Sequence, residues 1–383
     1  MVGVRRARQG IGSDAPLLGN ASDTGPEEPT ITRRMIIGTS LLILIAIPVF
    51  STELQLRRLT QLIVLVLAVL GVNLLTGYTG MISLGHGVFV GIGAFATANL
   101  IDASVPLWAA VIIATVYTGV AGVILGLPAI RLRGLSLALV TFGYAIAFQP
   151  ISRKLGGRTG GTSGRPVATD FLPPGPLADV IAAPVWRYIV CLAVVAIWFL
   201  LTRNLIASRV GRAARAVRDG ELAAAQFGVD IVRTKTAILG ISAAMAGTAG
   251  ALQAALFPWV SADQFDALLS LRLYAAAVLG GLGTILGALF GIVALIVLPV
   301  INAATGVLDN DAVVFGLGLV IMSLVAPQGL AGVVERRRSQ ADVNERWSQV
   351  GDATIGREGE PTPPAANQEP TVQWIDLDLG GPD

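Results

Sequence analysis

His86 is the single histidine of the chain, and no other side chain within its long apolar runs titrates near neutrality. Alone, with no cysteine beside it, it can hydrogen-bond or pass a proton, but it cannot build a zinc site, which takes three or four ligands. Ser83 precedes it by three residues, and Gly77, Gly80, Gly85, Gly87 and Gly91 surround the pair. The densest basic charge lies elsewhere, in one polar segment holding Arg203, Arg209, Arg212, Arg215, Arg218, Arg233 and Lys235. The apolar runs themselves contain no Asp, Glu, Lys or Arg. Transport driven by protons or sodium needs intramembrane carboxylates or an equivalent ion site. A chain without them takes its energy from a partner, and the basic segment is where a partner could push. Paired carboxylates for general acid–base chemistry are absent from the runs. Lys154 and Lys235 are the only lysines, and neither ends a phosphate-binding glycine loop. The expectation is a chain that hydrolyses nothing by itself and holds no metal.

The elements that carry these residues are apolar throughout. Of 383 residues, 54% are hydrophobic and 14% charged, with a mean hydropathy of +0.71. A soluble domain could not hide that surface, so the solvent must be lipid. The net charge of +2 does not suggest a nucleic-acid partner, since the basic residues sit in loops and tails. Cys191 is alone and in an apolar run, which excludes a disulfide framework. About thirty mostly polar residues precede the first apolar run, so no secretory signal peptide is expected.

Apolar runs fall at roughly 35–50, 59–76, 82–101, 107–127, 134–150, 188–202, 236–257, 273–301 and 312–326. Gly280, Gly281 and Gly283 interrupt the overlong run at 273–301, which is expected to fold as two segments. That predicts an all-α polytopic membrane protein of about ten segments, a bundle over 35–334 flanked by disordered cytosolic tails at 1–34 and 335–383. Trp347 and Trp374 fall in the second tail, where solvated chain is the simpler reading than short docking anchors.

The basic N-terminal tail and Glu335-Arg336-Arg337-Arg338 place both ends inside. Arg131, Arg133 and the 203–235 loop then also fall inside, with Trp108, Trp186 and Trp259 at outer interfaces. The 151–187 loop strains this scheme, because it is placed outside while carrying Arg153, Lys154, Arg158, Arg165 and Arg187. Arg57 and Arg58 would also lie outside, sharing their short loop with Glu53. The alternative for 151–187 is that 134–150 is re-entrant.

Four segments carry a family resemblance. They are Gly77-Tyr78-Thr79-Gly80-Met81-Ile82-Ser83-Leu84-Gly85-His86-Gly87; Arg131-Leu132-Arg133-Gly134-Leu135-Ser136-Leu137-Ala138-Leu139-Val140-Thr141; Thr159-Gly160-Gly161-Thr162-Ser163-Gly164; and Val278-Leu279-Gly280-Gly281-Leu282-Gly283-Thr284-Ile285-Leu286-Gly287-Ala288. Together they resemble the membrane subunits of branched-chain amino acid ABC importers, in the second of the two paralogous permease types. Ser136 stands where an aromatic residue is usual, and Ser163 where Asn is usual. The resemblance runs from about 59 to 334. It implies a paralogous permease subunit, two ATP-binding subunits that hold ATP and Mg, and an extracytoplasmic substrate-binding protein, with no cofactor in this chain. It also implies a multi-pass location in the plasma membrane, as in the inner membrane of bacteria. Urea and short-amide importers share these motifs, and a facilitator or channel needing no ATP is the reading from a different class.

Within 203–235, Arg212, Arg215, Arg218 and Asp219 recur at helical spacing. The Ala-rich stretch from Glu221 favours helix, with Gly228 as its stop. The arginines alone fit a positive-inside loop against lipid headgroups. The resemblance implies more, namely the coupling helix that seats in the ATPase, with Ala223-Ala224 and Gly228 matching the importer loop and Glu221 displaced by one position. Expected residues of the translocation path are Gly80, Ser83, Gly85, His86, Thr141, Gly281 and Gly283, against the plainer reading of tight helix packing. Thr159, Gly160, Gly161 and Gly164 are the candidate outer loop.

Overall fold

In a computed structural model, residues 51–293 are described, apart from 131, 133, 169–170 and 175–180; Pro48 is described as well. The expected tails at 1–34 and 335–383 and the runs at 35–50 and 312–326 lie outside the described residues. The described part is helical apart from one two-stranded antiparallel pair, β1 (Arg165–Pro166) with β2 (Trp259–Val260). Its helices in chain order are α1 (Glu53–Thr79), α2 (His86–Asp102), α3 (Leu107–Ala129), α4 (Leu135–Lys154), the short α5 (Gly156–Thr159), α6 (Ala183–Ala207), α7 (Arg209–Asp219), α8 (Glu221–Gln226), α9 (Ile231–Leu256) and α10 (Ala267–Gly280). Among the described residues five helices, α1, α3, α4, α6 and α9, are long and apolar enough to cross a membrane.

Local chemistry sets the boundaries. Thr52 opens α1 with a capping box, its hydroxyl accepting from the Gln55 N–H while the Gln55 side chain accepts from the Thr52 N–H. Gly80 closes α1 in the left-handed region at φ 71°, its N–H donating to Thr76 O. Asp230 and Asp266 cap α9 and α10 by accepting from Arg233 N and Leu269 N. The 134–150 run forms one continuous helix, Leu135–Lys154, which is long and apolar enough to span. The basic loop is shorter at both ends than 203–235, because α6 carries Arg203 and α9 carries Arg233 and Lys235. Helical hydrogen bonding can begin on polar residues once a cap is present, which an apolar-run boundary does not register.

Two helices form the centre. The most apolar windows of α1 and α9 are 72% and 78% buried, whereas those of α3 and α4 are each 28% buried and that of α6 is 17% buried. Lipid tails are as apolar as leucine, so close packing rather than water exclusion must hold such a centre together. The sequence supplies small residues for it. A Cβ on Gly93 would overlap the Gly247 backbone of α9, and one on Gly250 would overlap Val90 O of α2. On the other side of α9, a Cβ on Gly119 would lie 3.2 Å from the Ala244 side chain. Apolar side chains on α3, α4 and α6, among them Trp108, Val116, Ile124, Leu139 and Leu200, face outward and are more than half exposed. Such a surface suits lipid or a second membrane subunit.

The 273–301 run breaks where its glycines indicated. α10 stops at Gly280, the turn has positive φ at Gly281 (113°) and Gly283 (83°), and helix resumes at 287. The returning half packs on the first through backbone contacts, with a Cβ on Gly291 overlapping Ala276 O. Residues beyond 293 of this hairpin lie outside the described residues.

Candidate functional site

The 80–85 break between α1 and α2 is held from one side by a chain of hydrogen bonds. His86 is fully buried at the first position of α2. Its Nδ1 lies 3.1 Å from Ser83 Oγ and its Nε2 lies 2.6 Å from Ser242 Oγ on α9. Ser242 donates to Gly71 O of α1 at 2.6 Å. A hydroxyl has one proton to give, so Nε2 must carry the ring proton and donate to Ser242, leaving Nδ1 to accept from Ser83. Three helices are thereby joined by a neutral relay in which both ring nitrogens are used. Beside it, the Gly87 N–H at the start of α2 donates to Ser270 Oγ of α10 at 3.0 Å.

The other side of the same break faces a narrow apolar cleft. Leu75, Met81, Val88 and Phe89 line it from α1, the break and α2. Leu125, Gly126, Leu137 and Leu239 close it from α3, α4 and α9. Its polar groups are Ser83, Thr141 and Tyr144. Thr141 Oγ1 accepts from Leu84 N at 3.0 Å, which fixes the non-helical backbone at the cleft wall. Of the expected path residues, Ser83, Gly85 and Thr141 line this cleft and His86 lies behind them; Gly80 and Gly283 both meet Arg218 at a different place, and Gly281 stays within the hairpin turn.

That place is the end of α1. Asn73 Nδ2 donates to Thr284 O at 2.6 Å and Asn73 Oδ1 accepts from Gly283 N at 2.8 Å, so one amide holds the hairpin turn. The Arg218 guanidinium from α7 donates to Gly77 O, and a Cβ on Gly283 would lie 2.8 Å from Arg218 Nη1. Gly80 faces the Arg218 side chain, with 3.5 Å from its would-be Cβ to Arg218 Cγ.

α7 and α8 form one module. Gly211, Ala214 and Val217 make the buried stripe of α7, leaving its arginines on the open side. Arg212 donates to Ala207 O at 3.0 Å and Arg215 to Ile206 O at 3.2 Å, so both cap the end of α6. Glu221 Oε1 accepts from Lys235 Nζ at 2.5 Å, and the Lys235 side chain is only 4% exposed. Ala224 is buried, Ala223 is exposed, and Gly228 ends the module at φ 79°. Leu222 and Phe227 project outward, 74% and 88% exposed.

At the opposite end of the bundle, the Thr159–Gly164 loop is a run of turns. Gly160, Gly161 and Gly164 all have positive φ, and Thr159 Oγ1 donates to Ser152 O at 2.5 Å. A side chain on Gly164 would meet Trp259 Nε1 at 2.6 Å, and that indole donates to Ser163 O at 3.0 Å. Nearby, Arg153 and Gln149 of α4 donate to Asp263, and these bonds hold its exposed carboxyl below the usual carboxylate range.

Sequence reasoning missed Asn73, Ser242, Ser270 and Tyr144. Asn73 had a usable signal, as an amide deep within an apolar run. The serines had none, since a hydroxyl can turn back to its own helix without marking a contact.

A helical bundle with a break held by buried hydrogen bonds, a glycine turn after α10 and an amphipathic module between two spanning-capable helices defines a polytopic helical membrane protein. Residues 55–323 match the family described as branched-chain amino acid transport system / permease component, and the chain belongs to that family. It is similar to the high-affinity branched-chain amino acid transport system permease protein LivM of Salmonella typhimurium, 29% identical over 326 residues, covering 79% of this chain and 75% of that protein. LivM of Escherichia coli K12 is 28% identical over the same coverage. A shorter match of 126 residues, at 33% identity, relates 33% of this chain to 40% of LivH of Salmonella typhimurium. No solved structure matches the chain significantly. The family and the spanning-capable helices make this a multi-pass protein of the plasma membrane and a transporter subunit rather than an enzyme.

Proposed function

We propose that the chain is the translocating permease subunit of an ATP-driven importer for branched-chain and related hydrophobic amino acids. The observation that carries the cargo class is the cleft beside the 80–85 break, walled by Leu75, Met81, Val88, Phe89, Leu137 and Leu239 and bearing hydroxyls but no charge. An aliphatic side chain gains from such a wall, at about 0.8 kcal/mol per buried methylene. Urea, the alternative cargo within the family, would leave its polar groups short of partners there.

About ten membrane segments carry this role, with cytosolic tails at 1–34 and 335–383 and 203–235 as the cytosolic loop. The partners are a paralogous permease, two ATP-binding subunits carrying ATP and Mg, and an extracytoplasmic binding protein. α7–α8, with Arg212, Arg215, Arg218, Glu221, Ala223, Ala224 and Gly228, takes the force of the motor. Leu222 and Phe227 fit that role because a docking face needs apolar projections. The Thr159–Gly164 loop lies at the end where substrate is delivered. His86 and Ser83 hold the helix break, Gly85 and Thr141 border the path, and Gly80, Gly281 and Gly283 form its lower seam.

Reconstitution in proteoliposomes tests this reading. The complete complex should accumulate leucine on ATP addition and leave urea behind. Leucine flux through the isolated chain would replace the importer with a facilitator, and preferential urea uptake would replace the cargo. If Phe227→Asp left uptake and ATP hydrolysis unchanged, the coupling assignment of α7–α8 would fall.

A further inference from the structure

Arg212, Arg215 and Arg218 of α7 do not share one task. Arg212 and Arg215 turn back to the carbonyls of Ala207 and Ile206, the end of the helix that precedes them. Arg218 alone reaches across the chain, 141 residues in sequence, to Gly77 O. That carbonyl lies in the last turn of α1, where a helix leaves its final carbonyls without intrahelical partners and carries the negative end of its dipole. α1 has no basic residue of its own in that turn. The cation completing it comes from another element.

The same guanidinium touches the hairpin. Gly283 is a glycine at φ 83° whose missing Cβ would lie 2.8 Å from Arg218 Nη1 and 3.2 Å from Gly77 O. Gly283 N is in turn bonded to Asn73 of α1. Arg218 is therefore wedged where α1, the hairpin turn and α7 meet. A second tie runs from the same module to α9, through the 2.5 Å ion pair of Glu221 and Lys235. That pair is largely shielded from water, so it resists parting, because a separated partner would be left charged in a poor solvent. The junction between α7 and α8 is thus tied twice, through Glu221 to α9 and, three residues earlier, through the charge-assisted bond of Arg218 to a single carbonyl at the α1–hairpin seam.

We propose that Arg218 is the positioning residue that transmits movement of α7–α8 to the seam between α1 and the 281–284 turn, with Glu221–Lys235 as the pivot. Displacing the module about that pivot shifts the Arg218 guanidinium against Gly77 and Gly283. The end of α1 and the turn then move together, because Asn73 bonds one to the other. This rests on the reading of α7–α8 as the motor-docking element.

The test measures leucine imported per ATP hydrolysed, in purified complexes containing the permeases, the ATP-binding subunits and the binding protein. R218A should leave the ATP-binding subunits bound and hydrolysing while the transport ratio falls about tenfold, as expected for loss of a charge-assisted hydrogen bond. R218K, which keeps a donor and a charge, should recover most of that loss, and R57A, which removes an exposed arginine paired with Glu53 at the start of α1, should stay within about twofold of the parent. An unchanged ratio in R218A overturns the inference. So does failure of both R218A and R218K to assemble, which would make the contact one of folding alone. Release of the ATP-binding subunits by F227D, with a normal ratio in R218A, would instead keep the docking reading and remove this one.

Discussion

The two flanks of the 80–85 break differ in how they are closed. On the α9 flank, glycine contacts at Gly93 and Gly250 bring backbones together, and the Ser83–His86–Ser242–Gly71 chain uses every polar group it contains. On the α4 flank, among the described residues, a single bond between Thr141 and Leu84 reaches the break, and aliphatic side chains line the narrow cleft beside it. One flank is set by directional bonds and steric stops, the other by non-directional apolar contacts that can rearrange. A permease that alternates between two states needs both, a fixed axis and a wall that yields.

The most damaging way to break this contrast is to enlarge a glycine on the closed flank. Gly250→Leu would drive a side chain into Val90 O, and overpacking against backbone should cost at or above the ~1–3 kcal/mol typical of crowded cores. The expected result is loss of monodisperse protein on size-exclusion in detergent. His86→Ala comes next. It removes a buried partner from two serines, at about 1–3 kcal/mol, and should lower the melting temperature and uptake while the complex still assembles. Unchanged uptake would return His86 to packing alone.

On the open flank the effect should move from stability to selectivity. Met81→Ala widens the cleft, and since one methylene in an apolar pocket is worth about 1–3 kcal/mol of discrimination, phenylalanine should gain on valine in competition uptake with little change in melting temperature. The smallest effect belongs to Asp263, away from both flanks. Its carboxyl is depressed by Arg153 and Gln149, so the contribution of this pair is present above the ordinary carboxylate range and lost as pH falls through the folded value. Asp263→Asn should therefore differ from the parent in thermal melts at neutral pH only slightly, and not at all in strong acid.

Much of the scaffold was legible before any coordinates. Apolar runs located α1, α3, α4, α6 and α9, and Gly280–Gly283 marked the hairpin break, because spanning length and glycine punctuation are local properties. The spacing of Arg212, Arg215 and Arg218 and the stop at Gly228 outlined α7 and α8 for the same reason. Local pattern could not divide the arginines between α6 and α1, since that depends on where two distant helix ends come to rest. Nor could it place Lys235 in a buried pair, because a lysine at the edge of an apolar run looks like a loop residue until the carboxylate opposite is known. His86 and Ser83 were found together, but Ser242, which decides the ring's proton, lies 156 residues away.

α10 has 14 residues, about 21 Å at 1.5 Å per residue, which is short of the ~30 Å hydrocarbon thickness. Its turn leaves bare peptide groups that the helix itself cannot satisfy. Asn73 stands in for the missing hydration, offering its NH2 to Thr284 and its oxygen to Gly283. Because that surrogate is tethered to α1, the turn cannot part from its host helix without stranding two peptide groups at once.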